Sequence, residues 1–214
     1  MLNYSHKFFA MRKILLWCGA VLGMALSHNA HAQCTAVSTF PYTEDFDGST
    51  WIGTTTFDPC WDRVSTVDPD WTLDYNQTGS SNTGPSADVT GGNYLYLETS
   101  GGSLGAEGYV NTPYLDLSSL SNPKLQFWYH KYGQTMGDLL VEASLDSGNT
   151  WCEIHRIVGQ THFSDTDPWT LDSVDLALIK SSSTLLRFTG IRSSSFYGDM
   201  AIDSIAVYNG AATT

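Results

Sequence analysis

The stretch Lys124–Trp151, KLQFWYHKYGQTMGDLLVEASLDSGNTW, leaves a chain of this kind few ways to fold. Its first part, Lys124–Tyr132, carries Phe127, Trp128, Tyr129 and Tyr132, and aromatic residues at this density suit a pleated strand packed on at least one side. Its second part, Asp138–Leu145, alternates: Leu139, Val141, Ala143 and Leu145 share one face, Glu142 and Ser144 the other. Period-two alternation is the mark of a strand with one face in a core. Gly133 and Gly137 bracket the connection, and Ser147-Gly148-Asn149 turns the chain into a third strand at Trp151.

Similar short strand signals recur along the chain: Phe40–Asp47, Tyr94–Glu98, Tyr109–Leu117, Trp151–Val158, Trp169–Leu176, Leu185–Ile191 and Met200–Tyr208. Gly, Pro, Ser and Asn separate them, which indicates an all-β sandwich or barrel. Pro41 keeps the first strand at an edge or at its beginning. Thr66–Pro85 is the longest polar stretch and reads as a loop, the kind of segment that carries function on a rigid scaffold. No helix-period segment of useful length is present beyond a turn near Leu117–Leu120.

Met11-Arg12-Lys13, the apolar run ILLWCGAVLGMAL and Ala30-His31-Ala32 read as a signal peptide, with Met11 a candidate true start. The alternative is an uncleaved anchor, but the run is short for a membrane-spanning helix. Nothing after it forms a second span. The organisation is therefore a leader over 1–32, a lead-in over 33–39, one β domain over 40–208 and a short tail over 209–214. Export makes disulfides permissible and places the protein outside the cell or on its surface. The formal charge of −12 repels nucleic acid and anionic membranes. Loss of the leader's Lys7, Arg12 and Lys13 makes the mature part more acidic still. Its acids are suited instead to divalent cations.

FWYHKYG followed by MGDLLVEA resembles the signature of the MAM domain, an extracellular module. Four more stretches agree in order: Phe46-Asp47, Asp70-Trp71, Thr83–Thr90 with Asn93–Glu98, and GDMAIDSI at Gly198–Ile205. The resemblance covers about Phe40 to Tyr208. It implies a jelly-roll antiparallel β-sandwich in a secreted, bacterial-type protein, serving adhesion or recognition without catalysis. It implies a bridge between Cys34 and Cys60. The family's further cysteine before the aromatic strand is replaced here by Pro123-Lys124. Cys152, sharing a strand face with Ile154 and Val158, is therefore expected to be a buried free thiol.

His130, inside the aromatic strand, is either a zinc ligand or general base, or a hydrogen-bonded structural histidine. His155 and His162 lack ligand spacing around it, which favours the structural role. Ser144–Trp151 resembles the Asp-box of sialidases and other secreted β proteins, in which Asp146 bonds turn amides and Trp151 packs beneath; with only four arginines in the mature chain, no sialidase activity is read from it. Asn76-Gln77-Thr78 fits an N-glycosylation sequon.

Asp203 falls on the face of Ala201, Ile205 and Val207, where a carboxylate needs a cation or several donors. Asp47 follows the first strand and Asp88 precedes Tyr94. The resemblance places these three together, and some MAM domains bind calcium there, with oxygen ligands suited to a hard cation. Asp70 and Asp199 are second-rank ligands. The competing reading is that all these acids bond backbone amides. A glycosidase pair would need two carboxylates across a sugar-sized cleft.

Three functions follow: a non-catalytic adhesion or recognition module with an extracellular protein or glycan partner and weak self-association, a carbohydrate-binding module, or a hydrolase. The second requires exposed aromatic residues in a row, for which Trp51, Trp61 and Trp169 are the candidates. The third lacks a recognisable nucleophile, base and oxyanion set.

Overall fold

The computed structural model describes residues 34–64 and 68–211. The expected leader, Gln33 and the last three residues lie outside the described residues. The described residues contain no helix. Their strands are β1 (Tyr42–Glu44), β2 (Asp62–Val64), β3 (Asp70–Asp74), β4 (Tyr94–Glu98), β5 (Glu107–Asn111), β6 (Pro123–Lys131), β7 (Leu139–Ser144), β8 (Cys152–Ile157), β9 (Thr170–Asp175), β10 (Leu185–Ile191) and β11 (Met200–Asn209).

These form two antiparallel sheets, and the chain is the expected jelly-roll β-sandwich. One sheet runs β3-β4-β11-β6-β9, with β1 also on β11; the other runs β2-β5-β10-β7-β8. β11 pairs with β6 along one edge. Its other edge is divided, with Met200–Ile202 on β4 and Ile205–Val207 on β1. First and last strands are thus neighbours.

Alternation along the strands fills the space between the sheets. Leu125, Phe127 and Tyr129 of β6 and Leu139, Val141 and Ala143 of β7 join one apolar core with Leu186 and Phe188 of β10. The Phe127 and Phe188 rings meet edge to face with centroids 5.1 Å apart, a preferred aromatic geometry. Leu97 of β4 reaches the opposite sheet where β5 and β10 carry Gly108 and Gly190; a Cβ there would lie 2.5 and 2.6 Å from its methyl carbons. The two glycines therefore create the socket for one leucine.

The structure corrects several expectations. Asp70–Asp74 is a strand inside the stretch expected to be a loop, and Asp62–Val64, before that stretch, is a further strand without a sequence signal of its own. In β3, Trp71 and Leu73 alternate with half-buried Asp70, Thr72 and Asp74, a period too short to stand out beside the polar residues that follow. Trp51 and Trp61 are only 6% and 4% exposed. They pack with Phe46 and Phe57 as an aromatic cluster under the opening loop, so they cannot form a ligand surface. Trp61 also donates its indole N–H to Tyr42 Oη at 3.0 Å.

Asp203 does not share a face with Ile205 and Val207. The β11–β6 register shifts between Asp203 and Ala206, and Ser204 has φ 46°. This bulge inverts the alternation. Ala201 and Asp203 face outward, whereas Ile205 and Val207 face the core.

Cys34 and Cys60 are bridged, with Cα atoms 5.7 Å apart across a separation of 26 residues. Cys152 is not a free thiol: it is disulfide-bonded, and no described cysteine is free. The reason is its setting. The β7–β8 register shifts between Val141 and Glu142, so Cys152, opposite core-facing Ala143, does not share a face with Val158, and on this edge strand it is only half-buried.

The Cys34–Cys60 bridge ties the lead-in to the aromatic cluster. By chain-entropy arithmetic a loop of this length contributes about 3.5 kcal/mol. Replacing both cysteines by serine should lower Tm by about 7–14 °C in a domain of this size, as read by calorimetry of the oxidised protein. A shift under a couple of degrees would show that the bridge does not constrain the unfolded chain.

Candidate functional site

The segment between β3 and β4 folds back over the outer face of the first sheet. Beneath it, Tyr94, Tyr96 and Ala201 form a second small apolar cluster with Trp169 packed against it. Tyr94 Oη donates to the Asn76 carbonyl, Trp169 Nε1 to the Ala87 carbonyl at 3.0 Å, and Ser86 N to Asp165 O at 2.9 Å. Trp169 is therefore a half-buried clamp on this segment and not one of a row of exposed aromatic residues. Burial raises the hydroxyl pKa values of Tyr94 and Tyr96, and acidic neighbours add to the effect.

Asp47, Asp88 and Asp203 do meet at one end of this cover. Asp88 accepts the amides of Thr90, Gly91 and Gly92, at 2.6 to 2.9 Å for the closest contacts. Asp47 Oδ1 accepts Asn93 N at 2.6 Å. A Cβ on Gly92 would lie 2.1 Å from the Asp47 carboxylate oxygens, so only glycine permits that approach. Asp203 is fully buried and accepts Val89 N at 3.2 Å and Ser204 N at 2.5 Å. Burial pushes its pKa up to about 7. The amides of Val89 and Ser204 oppose the rise, and the negative charges of Asp88 and Asp47 add to it. The three acids are thus gathered, but their oxygens are aimed at backbone N–H groups. Among the described residues no group of three or more His, Cys, Asp or Glu side chains is arranged to hold a metal ion.

The second-rank acids are engaged elsewhere. Asp70 pairs with Arg63 at 3.1 Å. Asp199 is fully buried and accepts Thr99 N at 3.1 Å and Thr99 Oγ1 at 2.9 Å, fastening the end of β4 to the start of β11. Its Oδ2 makes no hydrogen bond, although the Thr78 hydroxyl lies close enough to favour the charged form. Burial pushes its pKa up to about 7, with Glu98 adding to the rise.

The histidines divide into two structural roles. His130 is fully buried, but neither ring nitrogen makes a hydrogen bond, contrary to the hydrogen-bonded histidine expected. It stacks on His162 at 4.2 Å and packs against Trp169. The Asp167 and Ser164 carbonyls favour its charged form without meeting hydrogen-bond geometry. Burial outweighs them and lowers its pKa to about 4. His162 Nδ1 accepts Lys131 N at 3.0 Å, so the neutral ring carries its proton on Nε2, facing Thr170 Oγ1 at 3.2 Å. His155 and Asp172 pair at 2.8 Å across the open edge between β8 and β9. Lys131 is also fully buried, donates to the Ile157 carbonyl, and is lowered by burial to about 7. Its side chain lies within the sandwich, away from solvent and ligand.

The Asp-box hairpin has the geometry its sequence implies. Asp146 accepts Thr150 N and Thr150 Oγ1 at 2.9 and 2.7 Å, and Ser147 and Gly148 take positive φ. Trp151 Nε1 donates to Gly148 O at 3.0 Å, and its ring covers the Arg187 guanidinium at 3.7 Å.

A feature the sequence did not suggest lies at the end of the sandwich where four connections meet. Asn82, Tyr132, Gln134, Gln160 and Tyr197 line an open cleft of about 440 Å³. Tyr132 and Gln134 come from the β6–β7 connection, Gln160 from β8–β9, Tyr197 from β10–β11, and Asn82 from the cover. These residues lie 115 positions apart at the extremes, at spacings with no periodic signal.

Residues 45–211 match the MAM domain, meprin/A5/mu. The MAM domain-containing glycosylphosphatidylinositol anchor protein 2 of Mus musculus is 32% identical over 157 residues, covering 66% of this chain and 16% of that protein. The chain thus spans about a sixth of the length of the curated relatives it matches. Among solved structures, the K1 cleaved adhesin domain of Lys-gingipain from Porphyromonas gingivalis superposes with a TM-score of 0.56 at 16% identity, over 81% of this chain and 100% of that one. The CBM27-1 module of Caldicellulosiruptor saccharolyticus, in complex with mannohexaose, does so with 0.52 at 11% identity, over 81% and 100%. These two likenesses concern the fold.

Asp199 provides a direct test of the buried-acid geometry. Its folded pKa, about 7, stands above the 3.8 of an unperturbed aspartate. Its contribution to stability is therefore fully present below about pH 4 and is lost as pH rises through 7. In Asp199→Asn, a neutral amide can keep the Thr99 bonds. The stability of the variant relative to the parent should rise between pH 4.5 and 8, by on the order of 2–4 kcal/mol. Urea denaturation in chelator at several pH values measures it; a gap independent of pH would show that Asp199 does not titrate in this range in the folded protein. The match over residues 45–211, on an antiparallel sandwich of the expected topology, establishes that this chain belongs to the MAM domain family.

Proposed function

We propose that this protein is a non-catalytic recognition or adhesion module, exported and working outside the cell or on its surface. The observation that carries the reading is the match of nearly the whole described domain to the MAM family. A cell-surface setting is supported by relatives named as glycosylphosphatidylinositol anchor proteins, by the Cys34–Cys60 bridge, and by the leader-like sequence before Gln33. No helix among the described residues is long and apolar enough to cross a membrane. The partner is an extracellular protein or glycan, engaged through the loops, with weak self-association as a further contact. The isolated domain should bind saturably to cell envelopes and should not turn over peptidase, esterase or glycosidase substrates. Turnover that survives purification and is lost on replacing one of its own acids would overturn the reading.

A calcium ion held by Asp47, Asp88 and Asp203 belongs to this proposal. Its support is chemical. Asp203 is buried among like charges, carboxylate oxygens are the donors a hard cation requires, and a buried charge without compensation is costly. The ion would draw the Asp47 and Asp88 carboxylates off their amides and join β1, the cover and β11. Extracellular modules bind with dissociation constants of about 0.1–1 mM. At roughly ten times that concentration, linkage adds about 1.4 kcal/mol, or about 3–6 °C in Tm. Melts in millimolar calcium and in chelator should differ by this amount for the parent and should coincide for Asp203→Asn. Equal shifts in the two proteins would remove these acids from the site.

A further inference from the structure

The cleft at the loop end of the sandwich has a lining unlike the rest of the molecule. The chain has 22 acidic residues and a formal charge of −12, yet Asn82, Tyr132, Gln134, Gln160 and Tyr197 include no charged group. Two phenol rings and three carboxamides supply flat apolar faces, donors and acceptors together. At about 440 Å³ the cleft falls within the range of small-ligand sites.

Its walls are held before any ligand arrives. Thr83 Oγ1 and Gly84 N both donate to the Tyr132 carbonyl, at 3.0 and 2.9 Å. Thr135 N donates to the Tyr197 carbonyl at 3.0 Å. That contact requires glycine at 133: φ is 151° and a Cβ would lie 2.4 Å from Tyr197 O. Asp199 N donates to Thr83 Oγ1 at 2.8 Å, so the cover, the β6–β7 connection and the start of β11 form one hydrogen-bonded unit. Gln160 Nε2 donates to His162 O at 2.7 Å, which fixes its amide and leaves Oε1 as an acceptor. Asn82 sits in the left-handed region at φ 60°, a conformation associated with functional loops when the surroundings enforce it. Phe196, 41% exposed, packs on the Tyr197 ring at 4.1 Å and extends the aromatic wall toward solvent.

We propose that this cleft binds an uncharged oligosaccharide, with sugar rings laid on Tyr132 and Tyr197 and hydroxyl groups bonded to the carboxamides of Asn82, Gln134 and Gln160. The chemistry selects this class. Carboxamides offer donor and acceptor together, matching a hydroxyl, which is both. The apolar C–H face of a sugar suits a phenol ring whose edge can remain wet. An anionic ligand would meet the acidic field of the whole molecule without a lining cation to offset it. A basic peptide would find no carboxylate in the lining. The proposal rests on the recognition-module reading and gives it a ligand class.

The test is affinity electrophoresis of the whole exported protein in gels containing uncharged polysaccharides (galactomannan, xyloglucan, mixed-linkage glucan, galactan), with polygalacturonate as the anionic comparison. At least one uncharged polymer should retard the parent. Tyr197→Ala and Gln134→Ala should each weaken retardation about tenfold or more, the equivalent of about 1.4 kcal/mol. Tyr75→Ala, which removes an aromatic residue 66% exposed outside the cleft, should leave it unchanged. Gln134 is exposed, so its replacement does not threaten folding; unchanged melting verifies this for both cleft variants. Retardation by none of the uncharged polymers, by polygalacturonate alone, or equally in the cleft variants would overturn the proposal. Saturable envelope binding that persists in Tyr197→Ala would overturn the cleft while leaving the recognition module standing; loss of envelope binding by the parent itself would remove that broader reading.

Discussion

The backbone pairing of β11 is the constraint on which the rest of the structure depends. Its ten residues hold β6 on one side and both β4 and β1 on the other. A central strand must satisfy every amide and carbonyl in the ladder, because water cannot reach them. The single interruption, between Asp203 and Ala206, has two consequences. It lets β4 and β1 share one edge of the strand, and it turns Asp203 outward while keeping Ile205 and Val207 in the core. Removing the bulge would place a carboxylate between the sheets or expel two branched side chains. The acid end of the molecule therefore exists because the final strand is irregular at one point.

What the sequence makes legible follows from period. β6, β7, β10 and β11 are long enough for alternation to stand out; the faces of the first three pack as that alternation requires, and those of β11 do so on either side of its bulge. Short strands escape: β2 has three residues, and β3 has two buried positions beside a polar run. A bulge escapes as well, since a one-residue slip changes every face after it without leaving a mark in residue type. Tryptophan is ambiguous for a different reason. It serves core and ligand surfaces equally well, and only three-dimensional placement shows Trp51 and Trp61 beneath the opening loop and Trp169 clamping the cover. For the acids, the neighbourhood of Asp47, Asp88 and Asp203 was legible from the family resemblance. The amides that now occupy their oxygens were not, because those bonds depend on the path of the backbone from Val89 to Asn93. The cleft was invisible for the same reason: its five residues come from four separate connections.

A chain with ten basic and 22 acidic residues cannot neutralise its acids in pairs. It binds them to backbone N–H groups. Asp88 organises Thr90–Gly92, Asp146 the β7–β8 hairpin, Asp167 the amides of Phe163 and Ser164, and Asp116 that of Ser118. Such bonds hold the carboxylates of Asp88, Asp146, Asp167 and Asp116 below the ordinary range despite the general negative charge. The same device stiffens the loops, because Asp88 fixes three consecutive amides and Asp167 two. Asp199 and Asp203 are the exceptions. Asp203 lies within β11 and Asp199 immediately before it; burial outweighs the amides that each accepts and raises their affinity for a proton.

This arrangement bears on recognition. Loops stiffened by their own carboxylates lose little further freedom on binding, which lowers the entropic cost of association. Charge, however, works against contact: an acidic surface repels acidic partners and weakens its own self-association. A ligand-binding end that is both rigid and uncharged avoids that conflict. At the cleft the stiffening is done by neutral groups instead, through the Thr83 hydroxyl, the Tyr132 and Tyr197 carbonyls and the Gln160 amide. Preorganisation there does not depend on carboxylates, so the lining can meet a neutral polar ligand without imposing on it the field that governs the remaining surface.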